Sequence, residues 1–174
     1  MSTTLTADIE VDVPVRTAYD QWTQFETFPE FMSGVDSVEQ VDPTTTHWVV
    51  SIGGVTREFD ADVSDQVPDE RVAWHSTTAG TSHRGRVEFR PIGADRSRVE
   101  VTMEWEPEGF VERAGAALGL DDRQVEHDLR RFKEFVESRP GATGAWRGEV
   151  HDPAGAGTGA ASDDVRGADP DLNA

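Results

Sequence analysis

The chain has 174 residues, 36% hydrophobic and 29% charged, which fits one globular domain with a sizeable core plus a tail. No apolar run approaches the ~18 residues of a membrane span, and the absence of cysteine leaves neither a disulfide framework nor a thiolate site. Thirty-four acidic residues against 16 basic ones give a formal charge of −18, a field that repels phosphate backbones and anionic lipid, so neither nucleic acid nor a membrane is an expected partner.

Lys133 is the only lysine; arginine supplies the other basic side chains, a bias that a GC-rich genome and a high-salt cytoplasm explain equally well. Residues 1–6 lack the basic and apolar regions of a secretory leader, and the cytoplasm is the expected location.

Leu5, Ala7, Ile9 and Val11 alternate with Thr6, Asp8, Glu10 and Asp12, the pattern of a half-buried strand. Pro14 then stands where it can open a helix, and Ala18, Trp22 and Phe25 recur at helical spacing to about Gln24. Pro29 breaks that pattern, with room for one more short turn at Glu30-Phe31-Met32 before Gly34. Six strands are predicted next, over residues 35–41, 47–52, 56–67, 71–77, 83–91 and 97–105. Gly53-Gly54 between two alternating runs reads as a tight hairpin, and the short loops favour an antiparallel meander over a parallel sheet.

Pro107 ends the last strand, and the apolar, Ala/Gly-rich stretch 110–120 reads as a loosely packed helix or lid. Asp121 followed by Gln124 resembles a capping box, after which Val125, Leu129, Phe132 and Val136 mark one helical stripe with Phe135 beside it. Pro140-Gly141 stops this helix. The chain therefore divides into a domain over residues 1–140 and a Gly/Ala/Asp-rich tail over 141–174, expected to be disordered except where Trp146 gives it something to dock with.

Trp48, Phe59, Trp74, Phe89 and Trp105 each sit on the apolar side of an alternating strand, so all five can share one face of the sheet. A wide aromatic face under a single amphipathic helix admits two readings, a bulky core or an apolar cavity. Arg57, Ser76 and His83 are the polar members of this inward set, and Met103 and Phe132 are further apolar ones. An apolar pocket with a few polar groups is the usual design of a small-molecule site. Arg57 can hold an enolate, phenolate or carboxylate oxygen, and His83 can move a proton; the bland reading is that both lie near strand ends and simply reach solvent. Tyr19, on the first helix, is either a third proton-handling candidate or a core residue, while His47 and His75 read as outward-facing. His75, His83, Asp60 and Asp62 offer no metal-ligand spacing on one face, and no phosphate loop or nucleophile elbow occurs, so no metal and no cofactor is expected.

One strand, a helical excursion, six strands and a long terminal helix is the order of a helix-grip α+β fold. The segment from Val13-Pro14-Val15 to Tyr19 resembles that of the START-like, polyketide cyclase/dehydrase superfamily. So do Phe28-Pro29-Glu30-Phe31, Val72-Ala73-Trp74-His75-Ser76, Gly85-Arg86-Val87-Glu88-Phe89 and Arg98-Val99-Glu100-Val101, and the resemblance covers nearly all of residues 1–138. It implies a curved antiparallel sheet of about seven strands gripping the C-terminal helix, with a ligand cavity between them. It does not imply one activity, because members include aromatase/cyclases, carriers of lipids and hormones, and quinone-binding proteins.

The leading expectation is a protein that binds a small hydrophobic ligand, aromatic, polyketide-like or quinone-like, through Trp48, Arg57, Phe59, Trp74, Ser76, His83, Phe89, Met103, Trp105 and Phe132. The alternative is a polyketide aromatase/cyclase in which Arg57 polarises a carbonyl and His83 or Tyr19 handles protons. A third reading is a regulatory or structural module without a ligand.

Overall fold

The computed structural model describes residues 3–52, 54–78, 83–105 and 122–151. Strands β1 (Thr3–Val11), β2 (Val35–Gln40), β3 (Thr45–Ile52), β4 (Val55–Val67), β5 (Arg71–Ser76), β6 (His83–Gly93) and β7 (Arg96–Trp105) form one curved antiparallel sheet. Their spatial order is β1-β7-β6-β5-β4-β3-β2. The meander follows from the short loops: Ile52 pairs with Val55, and Gly54 takes the positive φ of 81° that a side chain would resist. Each strand ends within two residues of its predicted limits.

Helix α1 (Val15–Trp22) starts at Pro14, whose carbonyl accepts the Ala18 N–H at 3.1 Å. The sequence pattern carries this helix to about Gln24; in the structure it stops at Trp22, and Pro29 lies inside a 3-10 helix, Phe25–Glu30, instead of breaking the chain. A short 3-10 turn accommodates proline because the ring already holds the required φ and costs only one donor. The Phe28 carbonyl then takes both the Phe31 and Met32 N–H groups.

Helix α2 (Asp122–Glu137) lies against the concave face. Leu129, Phe132, Phe135 and Val136 are buried, Val125 is half-buried, and Phe132 stands edge-on to both Trp22 and Phe31 at 5.1 Å. Burying each such ring stabilises the fold by about 1.5–3 kcal/mol, with edge-to-face geometry adding to it. The 110–120 stretch and Asp121, half of the predicted capping box, fall outside the described residues; Gln124 donates to Asp128 Oδ1 at 2.9 Å and to Ser33 Oγ.

Two irregularities interrupt this pattern. The β4–β5 register shifts between Val63 and Asp65, so Gln66 pairs with Val72 and points inward where strict alternation would have sent Asp65. Residues 141–151, within the predicted tail, lie across the outside of α1 as an extended strap. Thr143 exchanges hydrogen bonds with the Gln21 amide, the Trp146 N–H donates to Thr23 Oγ1 at 3.0 Å, and Val150 forms a two-way backbone bridge with Gln66. Residues 152–174 lie outside the described residues.

Candidate functional site

Strand register places four of the five strand aromatics, Trp48, Phe59, Trp74 and Phe89, on one face. Trp48 opposes Phe59, Val63 opposes Trp74, Trp74 opposes Gly85, Phe89 opposes Val99, and Trp105 opposes His83. The same register turns Arg57, Ser76 and Met103 inward, through Arg57 opposite Val50, Ser76 opposite Ala61, and Met103 opposite Gly85. Only the backbone of Trp105 is described, and its side chain lies outside the described residues.

Burial divides this face into two ends. At one end Val11, Val72, Val87, Phe89 and Val99 are fully or almost fully buried beneath Tyr19, Trp22, Phe31 and Phe132. Toward the other end the inward side chains Leu5, Met103, His83, Ser76, Trp74, Phe59 and Arg57 are all half-buried. The change runs the same way along β4, β5, β6 and β7, so it belongs to the sheet rather than to one loose residue. The aromatic face is therefore filled core at one end and half-buried at the other.

The half-buried end is built as follows. Trp48 and Phe59 lie almost parallel, their planes 8° apart and their centroids 5.9 Å apart. Thr46, buried beneath them, fixes the indole by accepting the Trp48 Nε1 proton at 2.8 Å while donating to the Ala61 carbonyl at 3.1 Å. Phe59 then meets the His83 ring edge-on at 4.6 Å, across the point where β5 has ended. Burial lowers the His83 pKa below the ordinary imidazole value, because the charged form loses its hydration. His83 Nδ1 and Arg57 Nε are both buried without a hydrogen-bond partner. Among the described residues no carboxylate shares the inward face of the seven strands to neutralise Arg57.

Three predicted site residues are not part of this group. Phe89 and Phe132 belong to the filled end, Phe89 edge-on to Tyr19 at 5.4 Å and Phe132 enclosed as described. Tyr19 is fully buried there, its hydroxyl accepting the Gln66 amide proton at 2.9 Å and its pKa raised chiefly by that burial. It packs on Phe89, six residues along β6 from His83, or ~20 Å at strand rise. Tyr19 therefore cannot share proton transfer with His83 or Arg57, and it is a core residue. The outward reading holds for His47, whose ring bonds Asp60 at 2.7 Å on the opposite face and whose pKa that bond raises. No group of three or more His, Asp or Glu side chains that could hold a metal ion comes together among the described residues.

Thr46 and Gln66 carry roles that sequence reasoning missed. Thr46 precedes the predicted start of its strand, and Gln66 faces inward only because of the bulge.

Residues 11–134 match the family described as polyketide cyclase / dehydrase and lipid transport. A 17.2 kDa protein of Streptomyces lincolnensis, uncharacterized and encoded in the melC2-rnhH intergenic region, is 51% identical over 142 residues, covering 82% of this chain and 95% of that protein. Among solved structures, the Zhui aromatase/cyclase of a Streptomyces species superposes with a TM-score of 0.68 at 12% identity, over 84% of this chain and 100% of the other. A START superfamily protein of Mycobacterium smegmatis superposes with a TM-score of 0.63 at 16% identity, over 78% and 97%. At those identities the structural likeness speaks for the fold alone. No helix among the described residues is long and apolar enough to cross a membrane. With the matched segment spanning β2 to β7 and most of α2, the chain belongs to the polyketide cyclase/dehydrase and lipid transport family, in its START-like helix-grip form.

Proposed function

We propose that this chain binds a small, largely apolar ligand with a planar ring and an acidic oxygen, at the half-buried end of the inner face beside α2. The observation that carries this reading is the pair of buried, unpartnered polar atoms, Arg57 Nε and His83 Nδ1, set against the parallel Trp48 and Phe59 rings. A buried polar group left without a partner costs about 1–3 kcal/mol, and a phenolate, enolate or carboxylate oxygen accepting from Arg57 offsets that cost. The rings supply an apolar surface for the rest of the ligand, and a guanidinium with no carboxylate beside it among the described residues favours an anion over a neutral hydrocarbon. Titration with phenols, naphthols and hydroxyquinones, followed by tryptophan fluorescence and thermal shift, tests this. We expect saturable quenching with a raised Tm for the acidic ring compounds and neither in Arg57→Ala. Equal responses of the wild type and Arg57→Ala reject an acidic oxygen held by Arg57, and no response to any compound rejects ligand binding and leaves a module without a ligand.

The lowered pKa of His83 favours a second reading, that of an aromatase/cyclase. A neutral imidazole can take a proton from the carbon between two carbonyls while Arg57 holds the resulting enolate oxygen. The enolate carbon then attacks a distant carbonyl of the same poly-β-ketone chain, and loss of water follows. Incubation with a linear poly-β-ketone should give a cyclised product with the wild type and none with His83→Ala, while His83→Ala still binds aromatic product. Failure of the wild type to convert any such chain rejects catalysis and leaves binding intact.

A further inference from the structure

We infer that Gly85 sets the depth of the ligand site, by letting the Trp74 indole lie flat on β6 as its floor. The inference rests on the binding reading above and assigns a residue that governs ligand size. Trp74 and Gly85 are directly opposed on β5 and β6, with both inward directions on the same face. A Cβ built on Gly85 would overlap Cζ2, Cε2 and Cη2 of Trp74, so the six-membered part of the indole occupies the space that any other residue would need. The glycine is not there for its backbone, which has no positive φ; it is there because an aromatic ring lies across it. Glycine inside a strand weakens it, and a ring laid over the bare backbone recovers packing.

The consequence for the site is geometric. Trp74 is half-buried, lying between the filled end at Val72 and the incompletely covered end at Ser76 and His83. Laid against Gly85, the ring keeps close to β6, and a ligand would take the volume above it. Tilted away from the sheet, the same ring would stand in that volume. A floor of this kind suits a planar ligand stacked on the indole, with its oxygen at the Arg57 and His83 end. It also predicts that ligand size, rather than ligand charge, responds to residue 85.

The test is a size series, phenol, naphthol and hydroxyanthraquinone, titrated against wild type, Gly85→Ala, Trp74→Phe and the double variant Trp74→Phe/Gly85→Ala. We expect Gly85→Ala to weaken hydroxyanthraquinone by about tenfold or more while phenol stays within about twofold, since the displaced indole consumes depth that only a large ligand uses. Trp74→Phe removes the outer ring that meets the new Cβ, so the double variant should regain hydroxyanthraquinone binding and Tm relative to Gly85→Ala. If Gly85→Ala does not fold, folding and size preference regained in the double variant carry the same test, and a double variant that also fails to fold overturns the proposal. Gly85→Ala binding all three ligands as the wild type does, or losing all three equally, overturns the floor and leaves the binding reading standing. A wild type that binds none of the three overturns that reading and the floor with it.

Discussion

His83 is the residue whose surroundings have the clearest measurable consequence. Burial lowers its pKa, so above about pH 6.5 it is neutral in both the folded and the unfolded chain and contributes no pH dependence. As the pH falls below that value the unfolded chain gains a proton that the folded chain resists, and stability drops until the lowered folded pKa is passed. His47 acts with the opposite sign: its bond to Asp60 raises its pKa, so its contribution is present at acid pH and lost as the pH rises through the raised value. His83→Phe, which keeps a ring against Phe59, is therefore expected to lose less Tm than the wild type between about pH 7.5 and pH 5.5. Parallel Tm curves for the two proteins over that range would show that the imidazole is hydrated in the folded state. Tyr19 illustrates the reverse situation. A buried hydroxyl with one good hydrogen bond needs no catalytic explanation, and its partner Gln66 explains why it is a tyrosine.

Among the elements, the strap over residues 141–151 does work that its composition conceals. Asp20, Gln21, Thr23 and Gln66, four of the six buried polar residues among those described, each have a hydrogen-bond partner on it. Arg147 reaches Asp20 at 2.5 Å and Asp69 at 2.7 Å with its guanidinium over the Tyr19 ring, and the bond to Asp69 is the main cause of its raised pKa. The Val150 bridge pairs the edge of β4 beyond the last β3–β4 pair, Thr45 with Asp62, where an open edge would otherwise invite another chain. Arg147→Ala leaves Asp20 enclosed with only the longer contact to Arg16, and we expect it to cost about 2 kcal/mol in chemical denaturation. Ending the chain after Pro140 should lower Tm further and speed amide exchange at Gln66, while ligand affinity stays unchanged, because the strap packs at the filled end. Unaltered stability on truncation would contradict this description of the strap.

For the whole molecule, the charge of −18 sets the response to salt. The outer face carries cross-strand pairs such as Arg96 and Arg98 with Glu10, but exposed pairs of this kind contribute little, and carboxylates outnumber their partners. Raising NaCl from roughly 10 to 150 mM shortens the screening length from about 30 to 8 Å, so self-repulsion should weaken more than the pairs do and Tm should rise. A falling Tm over that range would mean that the ion pairs outweigh the repulsion. The sheet itself was legible in the sequence, because alternation and turn residues are local signals: seven strands, their facing and the antiparallel meander all follow from them. So did the inward set, since facing is fixed by a period of two wherever the register is regular. The sequence could not divide that set into Phe89 and Phe132, enclosed by α1 and α2, and Arg57, Phe59 and His83, which are incompletely covered, because coverage depends on where distant helices come to rest. Nor could it foresee Gln66 turned inward by a bulge or Arg147 held between Asp20 and Asp69, since one extra residue in a ladder and a contact over 127 positions leave no periodic trace. By itself the sequence determined a helix-grip domain with an aromatic face, through local pattern; only the tertiary structure decided which part of that face is enclosed core and which part is half-buried, because that depends on side chains brought in from far along the chain.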